Sequence, residues 1–132
     1  MDVNLKNKAN DLRKAGKYNE ALAIYDHLWQ VDKDIYIGAG LLHCLRKLKI
    51  FDKAIIIADE LIVFDSDVNW CQQEIVWTYI EGMLKPKIEK GEVHNVIEIA
   101  NKILTLKPDS LAQTKTILKV LKVAKLENNW AV

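Results

Sequence analysis

The residues of this chain that could do covalent or metal chemistry are Cys44 and Cys71, with His27, His43 and His94. A nucleophilic thiol needs a base within hydrogen-bond reach, and a zinc site needs closely paired Cys or His ligands. The histidines stand far apart in the chain. Neither cysteine has a His or Asp partner at a spacing typical of such sites, and the five glycines form no phosphate-cradling loop. The expectation is no catalytic residue, no metal and no cofactor, so the chain is not read as an enzyme. What remains is charge chemistry. Arg13 and Arg46 could grip carboxylates, and Lys115, Lys119, Lys122 and Lys125 could follow phosphates.

Composition narrows the setting. A chain of 132 residues fits one domain, and with 50% hydrophobic residues it can pack a core. A net charge of +1 argues against coating nucleic acid by bulk charge. Two cysteines within helical patterns read as reduced, partly buried thiols rather than a disulfide framework. The first residues, Met-Asp-Val-Asn-Leu-Lys-Asn-Lys, lack the apolar centre of a signal peptide. The longest apolar stretch, Ala54 to Phe64, is interrupted by Asp59 and Glu60 and is too short to span a bilayer. A cytoplasmic chain with no membrane partner is expected.

The elements that must position these residues repeat. A shift of 33 residues lays Leu12-Arg13-Lys14 on Leu45-Arg46-Lys47, Tyr18 on Phe51, Ala21 on Ala54 and Asp26 on Asp59. A further shift of 42 lays Ile57 on Ile99, Ala58 on Ala100 and Leu61 on Ile103. The copies are expected at 2–34, 35–67, 68–108 and, in part, 109–132, all within one domain. Each copy reads as two helices. Leu5, Ala9 and Leu12 space one apolar stripe, Gly16 breaks it, and Tyr18, Ala21, Leu22, Tyr25 and Leu28 space the next. Asp34, Asp67 and Asp109 are N-cap candidates for the following first helices. Gly38 and Gly40 flank Ala39 inside a helix, which points to close helix approach. The third first helix is about two turns too long, and Pro86 near its end predicts a kink or an early stop.

Residues 14–25, Lys-Ala-Gly-Lys-Tyr-Asn-Glu-Ala-Leu-Ala-Ile-Tyr, resemble the middle of a tetratricopeptide repeat (TPR). The resemblance implies an all-α fold of antiparallel helical hairpins, stacked as a right-handed superhelix of about seven helices. The tryptophan common early in that family's first helix is absent from the first two copies. The resemblance also implies a protein-interaction scaffold, whose first helices line a concave groove for a peptide or partner helix. By register the groove positions are Val3, Lys6, Asn10, Arg13 and Lys14, then Tyr36, Ala39, His43, Arg46 and Lys47, with Lys115, Lys122 and Lys125 in the last copy. Such a face would favour an acidic or C-terminal carboxylate peptide. Glu20, Asp26, Asp59 and Glu60 fall on the opposite, second-helix side.

Some members of the family hold chaperone C-termini with a five-residue clamp of Lys, Asn and Arg. Lys6 and Asn10 match its first pair, but Gly40 replaces its second-repeat Asn, and Trp70 and Glu74 stand where cations are needed. Chaperone-tail binding is therefore not expected. The third first helix is apolar apart from a stripe of Glu74, Thr78, Glu81 and Lys85, which predicts a helix packed between neighbours. Where part of it is exposed, Trp70 and Trp77 are the anchors for a partner or a second subunit. A homo-oligomeric scaffold is thus an alternative, and an accessory module of a larger DNA-processing protein, contacting nucleic acid through the C-terminal lysines, is another. The last copy stops after Trp130, which suggests an N-terminal module of a larger protein.

Overall fold

A computed structural model of the protein describes residues 3–64 and 68–105, together with Lys115, Ile117, Lys119 and Lys122. Every regular element among them is helical: α1 (Val3–Lys14), α2 (Tyr18–Val31), α3 (Ile35–Lys47), α4 (Phe51–Ile62), α5 (Asn69–Tyr79), α6 (Lys85–Glu89) and α7 (Val93–Thr105). A π-helical turn, Ile80–Leu84, joins α5 to α6 without leaving helical dihedrals, so these form one long rod. Counted that way there are six helices among the described residues, close to the expected seven. The bounds Asp67 and Asp109, and most of the last partial copy, lie outside the described residues.

The long rod does not stop at Pro86. Proline has no N–H and its ring crowds the carbonyl four residues earlier, here Gly82. The helix widens just upstream: Lys85 N–H bonds to the Ile80 carbonyl, five residues back, and the rod continues to Glu89.

Each hairpin turn is built the same way. Gly16, Lys49 and Gly91 take positive φ of 79°, 61° and 73°. Each closes its helix with a pair of bonds, such as Gly16 N–H to Arg13 O and Lys17 N–H to Leu12 O. Lys49 carries a Cβ where the other two turns have none. Lys49→Gly is therefore expected to raise unfolding free energy by about 0.5–1 kcal/mol, the lost strain exceeding glycine's entropy cost. Urea denaturation checks this; an unchanged midpoint would mean that the lysine side chain offsets its own strain.

Asp34 caps α3, accepting from the Tyr36 and Ile37 N–H groups at 2.7 and 3.4 Å. The β-branched run Ile55-Ile56-Ile57 is helical, as its place in the repeat predicts. Ala54, Ile57, Ala58 and Leu61 fill the buried stripe of α4 and leave Ile56 outside. α2 packs on both α1 and α3, and α3 touches α1, α4 and α5. The helices thus fall into two rows. The first helices α1, α3 and α5 are neighbours in one row, with α2, α4 and α7 behind them.

The glycines of α3 set the spacing to α2. A Cβ on Gly40 would come within 2.5 Å of the Tyr25 ring, and one on Gly38 within 2.6 Å of Leu61 and 3.0 Å of Trp29. The anticipated close approach is real, and it lies at the joint between the first two hairpins. Trp29 and Tyr25 are both fully buried there.

Candidate functional site

The row of first helices brings the sequence-predicted residues of α1 and α3 against α5. Tyr25 belongs to the second row, but the gap left by Gly40 lets its hydroxyl reach α1. There it donates to Asn10 Oδ1 and accepts from Arg13 Nε at 3.0 Å. Burial pushes the phenol above its ordinary value, against the pull of Arg13, so it remains a donor. The Arg13 guanidinium lies 4.7 Å from the centroid of the Trp70 ring, a cation–π contact worth about 0.5–2 kcal/mol.

Glu74, on α5, is the centre of the next layer. Its Oε1 accepts from Arg46 Nε and Nη2 at 3.2 and 3.0 Å. Its Oε2 accepts from Trp70 Nε1 at 3.1 Å and lies 2.7 Å from His43 Nδ1. Arg46 Nη1 donates to Glu81 Oε1 at 3.2 Å. The Glu74 and Arg46 side chains are only 6% and 11% exposed, so this ion pair is largely desolvated. Burial raises the Glu74 carboxyl, but the His43 hydrogen bond and the Arg46 charge together outweigh it and hold the group below its ordinary value. An ionised Glu74 requires the proton of the shared bond to sit on His43 Nδ1.

These contacts change the expected charge of the face. The stripe of Glu74 and Thr78 does not face solvent; both are buried against the α3 side of the rod. The face is therefore not uniformly basic, because Arg46 is matched by two carboxylates. Lys6 is 3.8 Å from Asp34 and stands over Tyr36, which is 48% exposed. Lys14 and Lys47 are exposed, whereas Ala39 is fully buried and lines nothing. Lys115, Lys119 and Lys122 are exposed, and Lys125 and the Val3 side chain lie outside the described residues. Trp70 and Trp77 are half-buried and packed against the core.

The acidic residues of the second row are structural links. Asp26 pairs with Lys53 at 2.9 Å, Glu60 accepts from Trp29 Nε1 at 3.1 Å, and Asp59 accepts from Tyr79. Sequence reasoning overlooked Tyr25 as a member of the first-row cluster. The available signal was size: Tyr25 stands where the next two copies have Ala58 and Ala100, and Gly40 supplies the missing room.

Cys44 and Cys71 are buried and free. Burial pushes their thiols up to about 12 and about 11. Neither thiol is expected to react with a thiolate-selective reagent at pH 8 in the folded protein, and both should react in denaturant. Rapid labelling of native protein would contradict the described burial. Among the described residues no three His, Cys, Asp or Glu converge as a metal site, and no helix is long and apolar enough to cross a membrane.

Two rows of hairpins joined by positive-φ turns define a TPR-like fold, and solved structures agree. The chain is similar to the first TPR of Spaghetti (RPAP3) bound to the HSP90 peptide SRMEEVD, with TM-score 0.64, 18% identity, and 89% of this chain and 88% of that one covered. It is similar as well to the first TPR domain of human RPAP3, with TM-score 0.65, 17% identity, and 95% and 93% covered. No protein-family model matches the sequence, and no curated protein does.

Proposed function

We propose that the chain is a non-catalytic protein-interaction scaffold, binding an extended peptide or partner helix across the face of α1, α3 and α5. The observation that carries this reading is Arg13. Its Nε is fixed by Tyr25 and its guanidinium carbon stands 4.7 Å from the Trp70 ring centroid, while its terminal nitrogens have no bond to any described residue. Such a guanidinium is held in place before a ligand arrives, so less entropy is lost on binding. Asn10, Lys6, Tyr36 and the exposed Lys14 and Lys47 extend the same row. A TPR domain of similar fold carrying a bound peptide supports the choice of a peptide as partner.

The test is selection of 12-residue peptides from a displayed random library, followed by affinities for variants. Arg13→Glu and Trp70→Ala are each expected to weaken the selected peptide by about tenfold or more, and Glu20→Lys, exposed on second-row α2, to leave it unchanged. Equal binding by Arg13→Glu and wild type would remove this face from the function.

A further inference from the structure

Glu74 is held as a bound carboxylate would be. Four donor atoms from three side chains converge on it: Arg46 Nε and Nη2, His43 Nδ1 and Trp70 Nε1, all within 3.2 Å. Two of these side chains come from α3, on the row where the partner is proposed to bind. All three guanidinium nitrogens of Arg46 are engaged, two by Glu74 and the third by Glu81.

We propose that Glu74 is an internal ligand of this face, filling the position where Arg46, His43 and Trp70 would otherwise receive a partner's carboxylate. The inference rests on the partner face proposed above and specifies what that face accepts. A carboxylate from outside must displace one tethered to the same rod, whose effective concentration is high. It must also leave Glu74 buried without its counter-charge, which is the costly half of breaking a desolvated pair. Arg13 carries no such obstacle. The face therefore reads its partner through Arg13 and Trp70, and acidic tails are kept off Arg46.

The SRMEEVD peptide, with a free C-terminus and acidic side chains, is the probe. Its comparison peptide has Gln for Glu, Asn for Asp and an amidated end. Fluorescence anisotropy is measured for both peptides with wild type and with Glu74→Gln, each with and without Arg13→Gln. Glu74→Gln keeps the size but removes the charge and turns one accepting oxygen into a donor amide. Wild type is expected to owe any acidic preference to Arg13, so that Arg13→Gln leaves less than about twofold discrimination, whereas Glu74→Gln combined with Arg13→Gln still favours the acidic form by about tenfold or more. Adding Arg46→Gln should abolish that preference. An acidic preference of about tenfold that Arg13→Gln alone retains overturns the proposal, as does a folded Glu74→Gln protein with no gain over its Glu74 counterpart. If Glu74→Gln does not fold, the Arg13→Gln comparison decides: discrimination below about twofold that Arg46→Gln leaves unchanged supports the internal ligand, and a preference of about tenfold overturns it. Should library-selected peptides depend on Arg13 while Glu74→Gln gains nothing, the internal ligand falls and the partner face stands. If no peptide responds to Arg13 or Trp70, both fall.

Discussion

Glu74→Ala is expected to lower unfolding free energy by about 3 kcal/mol, because it strands a guanidinium in a largely dry site. Arg46 would keep only Glu81, which is more exposed, and the Trp70 and His43 donors would lose their acceptor. In a domain of this size the loss corresponds to roughly 10 °C in Tm. Thermal unfolding of the two proteins at neutral pH reads the difference directly. A change below about 1 kcal/mol would mean that the pair is solvated and weak, as exposed ion pairs are.

The same substitution has a defined pH dependence. The folded Glu74 carboxyl is more acidic than the unfolded one, so on acidification the unfolded chain takes up its proton first. The contribution of Glu74 is then fully present above the ordinary value of 4.5 and is lost as pH falls through the lower folded value. The stability gap between wild type and Glu74→Ala should therefore close below pH 4.5. A gap that widened on acidification would contradict the network.

Trp29→Ala is expected to be the most damaging truncation, at about 3–5 kcal/mol. The indole is fully buried between α2, α3 and α4, close to Gly38 and Leu61. Its Nε1 donates to Glu60, Lys33 stands 4.7 Å from the ring centroid, and Phe64 lies beside it. Alanine would leave an unfilled volume at the joint of two hairpins. In a stacked array each hairpin is stabilised mainly by its neighbours, so the first hairpin should loosen ahead of the rest. Urea unfolding followed by hydrogen exchange checks both statements. Uniform exchange across the chain would show that the stack breaks as a single unit.

The fold was legible because its signals are local or periodic. Gly16 marks a turn by itself, and the 33-residue shift carries that turn to Lys49, a residue that gives no warning of positive φ. The N-cap at Asp34 and the helical reading of Ile55-Ile56-Ile57 followed from position in the repeat. The candidate site was only partly legible. Its α1 and α3 members follow from helix register, but their ionic partners are set by packing. Glu74 meets His43 and Arg46 across 31 and 28 residues of sequence, in a copy whose first helix is out of length with the others. Nothing in the spacing of Glu74, Thr78 and Glu81 distinguishes a solvated stripe from one pressed against α3. The exchange of size between Tyr25 and Gly40 was visible in composition and needed contacts to acquire meaning.

The central claim is that α1, α3 and α5 form the partner face, with Arg13 at its open end. Amide chemical-shift mapping of the labelled protein, titrated with a library-selected peptide, addresses it most directly. Perturbations should gather on residues 6–14, 36–47 and 70–81, and should disappear with Arg13→Glu. Perturbations gathered instead on α2, α4 and α7, or undiminished by Arg13→Glu, would contradict the account.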